Sequence, residues 1–256
     1  MNSRDPWGVV ILVATRERPK GMRRLVESVQ TTVDSRQRVN IVFGIDADDE
    51  ESRQTACDLA KTARVQVRAV HVEPSAELNL ARISNILYAA SDEPIVGCFG
   101  DDVVFRTQGW DAIVRHEFQK NIAILLFGND RLQKGRLATH FFTHRRIHDA
   151  LGYYMNEKFR RIYIDTWWDH IFRSQKRDQY VPDLIFEHLH PETYPENEDD
   201  LYRRNAKWMS ADEATWKSEE NQKDLRREME RFRWLIWKLS CEKIRERLSG
   251  FLRPPR

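Results

Sequence analysis

Two adjacent carboxylates, Asp101 and Asp102, follow the apolar run 95–99 after a single glycine, Gly100. Paired acids at the end of a buried strand can hold a hard divalent cation and leave open positions for phosphate oxygens. Such a cation would take up charge on a departing diphosphate as a Lewis acid, without proton transfer. An acidic pair on a solvated turn is common and carries no such meaning by itself. Position changes that. Two other apolar runs also end in polar residues, 9–14 at Thr15-Arg16 and 40–45 at Asp46.

The elements that must bring these residues together can be read along the chain. Residues 9–14 are a continuous run rich in β-branched side chains, as in a strand buried on both faces. Pro19 suits the first turn of a helix running to about residue 31, with Met22, Leu25, Val26 and Val29 at helical spacing. Strands at 40–45, 65–72 and 95–99 then alternate with helices at 52–62 and 80–90. This alternation predicts a parallel sheet with right-handed crossovers. Ligands of such sheets bind beyond the carboxyl ends of the strands, so the three polar strand ends should share one crevice.

Further strands are expected at 122–127 and near 139–143, then a short helix stopped by Gly152 and a last core segment at 181–190. A Pro- and acid-rich linker, 191–200, divides residues 1–195 from a C-terminal helical extension over 196–256. From about Ala211 the extension reads as one long helix. Leu225, Met229, Phe232, Ile236 and Leu239 repeat along it at alternating four and three, the seam of a packed or coiled helix. The 12 basic and 9 acidic residues from Ser210 onward are mixed, so packing against the core or a second copy outranks a nucleic-acid or membrane surface.

With these elements in place, Val13-Ala-Thr-Arg-Glu-Arg-Pro19, Ala81-Arg-Ile-Ser-Asn85 and Gly100-Asp-Asp-Val-Val-Phe105 together resemble family 2 glycosyltransferases of the GT-A fold. Gly109-Trp-Asp111, Asp165-Thr-Trp-Trp168 and Glu187-His-Leu-His-Pro191 are similar to phage-encoded members of that group. The resemblance spans roughly residues 8–195. It implies an α/β, Rossmann-like nucleotide-sugar-binding domain with a mostly parallel central sheet. It also implies metal-dependent, inverting transfer of a sugar from a nucleoside diphosphate donor to an acceptor hydroxyl, with Mn²⁺ or Mg²⁺ as cofactor.

Residue by residue, the resemblance places Asp101 and Asp102 in the metal motif, whose first aspartate is replaced by Phe99 here. Asp46 matches the acid that reads the base or ribose, with Thr15 and Arg16 lining the nucleotide pocket. Arg82 and Asn85 match residues facing the diphosphate and sugar. Asp165 stands where the catalytic base belongs, with Asp169 one turn on as its rival. His188 matches a late metal-ligating histidine, and on a strand His190 would share its face. For a phage-like enzyme, hydroxymethylated DNA bases are one candidate acceptor, beside polysaccharide, lipid-linked sugar and protein.

Each assignment has a duller counterpart. Asp165 could cap a helix, Asp46 could cap the segment after it, Arg82 could pair with a surface acid, and His188 could be a hydrogen-bonded core histidine. His140, His144 and His148 are spaced by four, but Phe141-Phe142 looks like strand and Thr143 like a cap, so no shared helical metal face is expected. A nucleotidyltransferase would need a Gly-rich loop where Thr15–Pro19 has none. A non-catalytic binding or scaffold protein could keep the fold without turnover.

The net charge of +2 neither requires nor excludes a polyanion. Cys57, Cys98 and Cys241 lack metal spacing and read as reduced, mostly buried thiols of a cytoplasmic protein, in the host cell if phage-encoded. No run reaches transmembrane length. A homodimer through the C-terminal helix is the expected protein partner.

Overall fold

The protein is described here by a computed structural model covering residues 6–73 and 79–251. Its first half follows the expected alternation. Strands β1 (Val9–Thr15), β2 (Val39–Asp46), β3 (Gln66–Val72) and β4 (Ile95–Phe99) are mutually parallel, in the order β3-β2-β1-β4. Helices α1 (Pro19–Thr32), α2 (Glu50–Thr62) and α3 (Leu80–Ala89) cross between them. Alternate residues of β1 explain its unbroken apolar run. Val9, Ile11 and Val13 enter the cluster under α1, while Val10 and Leu12 enter the one under α3.

Beyond β4 the mostly parallel, Rossmann-like GT-A sheet expected from sequence does not form. The eight-stranded sheet is mixed, in the order β3-β2-β1-β4-β7-β6-β8-β5. Strand β7 (Phe141–His144) runs antiparallel to β4, and β6 (Leu125–Asn129) runs antiparallel to β7. Strand β8 (Asp178–His188) is parallel to β6, then slips register after Gly128 and pairs antiparallel with β5 (Val103–Phe105). Only Gly100, Asp101 and Asp102 separate β4 from β5, too few residues for the crossover that a parallel neighbour requires, so β5 leaves β4 and pairs with β8 instead.

Helix α4 (Trp110–Lys120) packs on the α1 side, while α5 (Arg145–Leu151) and α6 (Ile164–Arg173) pack on the α3 side. Gly152 caps α5 with a φ of 88°, as its position predicts. The C-terminal region contains α7 (Asp200–Asn205), α8 (Lys207–Lys217) and α9 (Glu219–Phe251). The single helix expected from Ala211 is thus two, broken at Ser218, whose backbone is extended. Leu225, Phe232 and Leu235 of α9 enter the core beside Trp168 and Phe172, with Met229, Ile236 and Leu239 against it. The seam read from sequence is therefore filled from within the chain. Cys57 and Cys241 are exposed, correcting the expectation of mostly buried thiols. Among the described residues no helix is long and apolar enough to cross a membrane.

Candidate active site

Asp101 and Asp102 leave the end of β4 in opposite directions. Thr15 Oγ1, at the end of β1, donates to Asp101 Oδ2 at 2.6 Å, and Arg18 Nη1 donates to Oδ1 at 3.1 Å. Burial raises the Asp101 carboxyl to about 6 against the pull of Arg18, and Asp102 adds to the rise. Asp102 turns instead toward β8. Its Oδ2 lies 3.4 Å from His188 Nε2 and accepts from the Tyr202 hydroxyl at 2.6 Å. Burial opposes the charge on Asp102, but His188 and Tyr202 outweigh it and hold the carboxyl well below its ordinary range. Both aspartates line a cavity of about 520 Å³ together with Arg18, Lys20 and Tyr202.

Backbone geometry fixes this divergence. A Cβ on Gly100 would stand 2.5 Å from Asp102 Oδ1, so a side chain there would displace the carboxylate. Gly21 of α1 lets the helix approach the Asp101 carbonyl, which a Cβ would meet at 2.9 Å.

Three ligating groups converge at Asp102. One ligand atom each from Asp102, His140 and His188 lie within 4.8 Å of one another. Pairing of β4 with β7 sets Cys98 opposite Phe141, so His140 falls beside Phe99 and stacks on its ring at 5.5 Å. Pairing of β5 with β8 sets His188 opposite Val103, the residue after Asp102. The His188 amide donates to the Asp130 carbonyl and the Leu189 amide to the Asp102 carbonyl. His140 and His188 meet edge to face at 4.6 Å.

The donor set fits a divalent cation. His140 Nε2 is buried without a hydrogen-bond partner among the described residues, a state that costs free energy until a ligand satisfies it, while His188 turns its Nε2 toward Asp102. Burial, aided by the charge of His188, lowers His140 to about 3, so its imidazole is neutral and offers a lone pair. Burial opposes the charge on His188, but Asp102 raises its pKa nonetheless. Two imidazoles and one ionised carboxylate form a recognised ligand set for divalent metals.

The remaining sequence candidates fall into distinct settings. His190 lies past the end of β8, its ring 5.0 Å from His188 and 5.5 Å from Tyr202, outside the triad. Arg16 forks Asp46 and Asp48, donating to Asp48 at 2.7 and 2.9 Å, so one guanidinium is shared by two carboxylates and the rim keeps a net negative charge. Asp49, rather than Asp46, caps the following helix. Asn85 binds Met155 through backbone N and O and reaches Glu157, which spends its amide on the 153–157 loop. The Arg82 side chain is exposed on α3. His144 caps α5, where Thr143 was expected, and His148 is buried against Thr143 Oγ1.

Asp165 sits in the first turn of α6. Its Oδ1 accepts from the Thr166 amide at 2.7 Å, while no bond to Oδ2 is seen among the described residues. Burial raises its carboxyl to about 6, and its charge reaches both His188 and Cys98. Helix α6 is held firmly. Trp167 and Trp168 bury their rings and donate to Tyr153 and to the Tyr154 carbonyl. Tyr163 before it adopts φ 65°, strained for a bulky residue, and stacks on Trp216 of α8 at 5.1 Å. Asp169 is used structurally, accepting from the Ala138 amide and from Arg173 Nε.

From sequence, Arg18 and Tyr202 have no role, and His140 is weighed as a metal ligand and set aside. Tyr202 comes from α7, with Arg18 and Arg161 stacked over its ring at 4.6 and 5.2 Å. Asp199 ties this segment to the site by taking Arg18 Nε at 2.7 Å.

No protein-family model matches the chain, and no curated protein matches it. Solved structures do share its fold. One is the mannosyltransferase PcManGT from Pyrobaculum calidifontis in complex with GDP-Man and Mn²⁺, at 14% identity and TM-score 0.59, covering 75% of this chain and 61% of that one. Another is S. aureus TarS, at 10% identity and TM-score 0.60, covering 84% of this chain and 44% of that one. TarS 1-349 in complex with UDP-GlcNAc aligns at 11% identity and TM-score 0.56, over 70% of this chain and 57% of its own. This chain therefore spans less than two thirds of the length of each. At such identities the likeness is one of fold.

Proposed function

We propose that the chain is a metal-dependent glycosyltransferase that moves a sugar from a nucleoside diphosphate sugar to an acceptor hydroxyl, with inversion at the anomeric carbon. The observation that carries this reading is the Asp102–His140–His188 cluster, with His140 Nε2 unpartnered among the described residues, beside a cavity lined by both aspartates. The shared fold with PcManGT and TarS supports it. Asp102, His140 and His188 would hold the cation, and a bound divalent ion supplies charge stabilisation to the leaving diphosphate. Two imidazoles favour Mn²⁺ over Mg²⁺, which prefers an all-oxygen shell.

Asp165 is the proposed base. Its free oxygen and raised pKa suit a carboxylate that takes the acceptor proton as the hydroxyl oxygen attacks. Arg18 and Tyr202 would orient phosphate oxygens on the cavity side, and Arg16 with Asp46 would face the nucleoside after exchanging partners. For the acceptor we favour a hydroxymethylated base in DNA, on the motif resemblance to phage-encoded enzymes.

The test is thermal-shift titration of NDP-sugars with and without Mn²⁺, followed by transfer assays on modified duplex DNA, free sugars and lipid-linked acceptors. A selective, Mn²⁺-dependent rise in melting temperature with one donor is expected. Donor binding or transfer that survives chelation and the Asp102→Asn change would overturn the reading.

A further inference from the structure

Helix α9 has two faces, and only one of them meets the protein. The inward face carries Leu225, Phe232 and Leu235. On the outward face Trp234, Trp237 and Ile244 are 60%, 62% and 58% exposed, with Cys241 exposed between them. Their spacing of three, four and three residues draws one apolar stripe along the helix.

Folding also sorts the charges that look mixed in sequence. The acids turn inward: Asp224 binds Lys158, Glu228 binds Arg231 and Tyr153, and Glu242 binds Arg146. Outward between 223 and 245 stand Lys223, Arg226, Arg233, Lys238 and Arg245, opposed by one exposed acid, Glu230. Lys238 lies over the Trp234 ring at 5.7 Å. No carboxylate partner is seen for these five cations among the described residues.

We propose that this face of α9 docks on an anionic lipid surface, lying in the plane of the headgroups without crossing the bilayer. The charge pattern selects the occupant. A second copy packed on the stripe would bring Arg233, Lys238 and Arg245 against their own equivalents, in parallel or antiparallel pairing, so like charges would face each other. A nucleic acid would accept the cations and could stack on tryptophan, but gains nothing from Ile244 and Cys241 continuing the stripe. An anionic bilayer matches both features. Tryptophan and isoleucine enter the headgroup boundary while the flanking Lys and Arg meet lipid phosphates.

Flotation of the full chain with vesicles tests this. Vesicles of phosphatidylcholine and phosphatidylglycerol should carry the protein up the gradient, vesicles of phosphatidylcholine alone far less, and salt should weaken the association. Trp234→Ser with Trp237→Ser should lower the bound fraction about tenfold. Arg233→Gln with Lys238→Gln should do the same on anionic vesicles only. All four side chains are exposed, so melting temperature and Mn²⁺-dependent donor binding should not change. Failure of the parent chain to float would overturn the proposal, as would equal flotation of the variants. DNA binding lost through the same changes without vesicle binding would assign the face to nucleic acid. A dimer dissolved by the tryptophan changes, again without vesicle binding, would assign it to a second copy.

Discussion

The strand ends on the two sides of β1 hold their charges in opposite ways. At the β1–β2 end Arg16 forks Asp46 and Asp48, so every charge there is already ion-paired. At the β4–β8 end, Asp102, His140 and His188 crowd together, and the buried His140 Nε2 has no partner among the described residues. The first arrangement must break ion pairs before it can take a ligand. The second is stabilised by gaining one. Affinity should therefore reside at the β4–β8 end, and discrimination between donors at the β1–β2 end.

The largest effect should separate Asp102 from its neighbour. Asp102→Asn or His140→Ala should lower Mn²⁺-dependent transfer by about a thousandfold and abolish the Mn²⁺-induced rise in melting temperature. Asp101→Asn should keep that rise, because Asp101 is engaged by Thr15 and Arg18. Equal loss of metal response in the two aspartate variants, with none in His140→Ala, would erase the contrast. Titration calorimetry with Mn²⁺ reads it directly.

Next comes the base. Asp165→Asn should lower kcat by about a hundredfold or more while donor and metal binding stay within a few fold. With its carboxyl at about 6, the ionised form fills as pH rises through 6. Below that, kcat/KM should fall about tenfold per pH unit at saturating Mn²⁺. A flat profile from pH 5 to about 7 would remove Asp165 from the chemistry.

How much of this the sequence contains is best judged at His140. The acid pair, the strand before it and the first four strands are legible because apolar runs and their breaks are local. Strand polarity is not local. In a parallel continuation, the residue before β7 would lie at the far edge of the sheet from Asp102. Antiparallel pairing with β4 brings it beside Phe99 instead. The mistaken sheet class and the missed imidazole are thus one error. The spacing from β4 to β5 excludes β5 as the parallel neighbour of β4, but the polarity of β7 is set by pairing across residues 100–140 and leaves no local mark. Tyr202 was hidden for a different reason. It lies just past the 191–200 linker, in a stretch with no periodic signal, and long-range contacts such as Arg18–Asp199 and Tyr202–Asp102 fold it onto the site. On α9, a charge count over the extension averaged two faces that the fold keeps apart.

A smaller effect belongs to the ion-paired rim at Arg16. Asp46→Asn leaves Arg16 with Asp48, so the fold should survive and the metal response should be intact. Donor KM should rise about tenfold with kcat nearly unchanged, because only a nucleoside-side hydrogen bond is altered. A fall in kcat without change in KM would place Asp46 with the chemistry rather than with recognition.

The smallest change in turnover should come from Asp169, one helical turn from Asp165. Its two oxygens are spent on the Ala138 amide at 3.2 Å and on Arg173 Nε at 2.7 Å, and the residue is buried. An asparagine keeps one acceptor but turns an N–H toward one of two donors, leaving a buried pair unsatisfied. Stability to urea should drop by about 1–3 kcal/mol, with kcat changed less than about threefold. Asp165→Asn should show the reverse, since removing a half-buried, partly unpartnered carboxylate relieves desolvation while turnover collapses. If Asp169→Asn kept full stability and lost turnover, the base would lie one turn further along α6, and the order of the two carboxylates would invert.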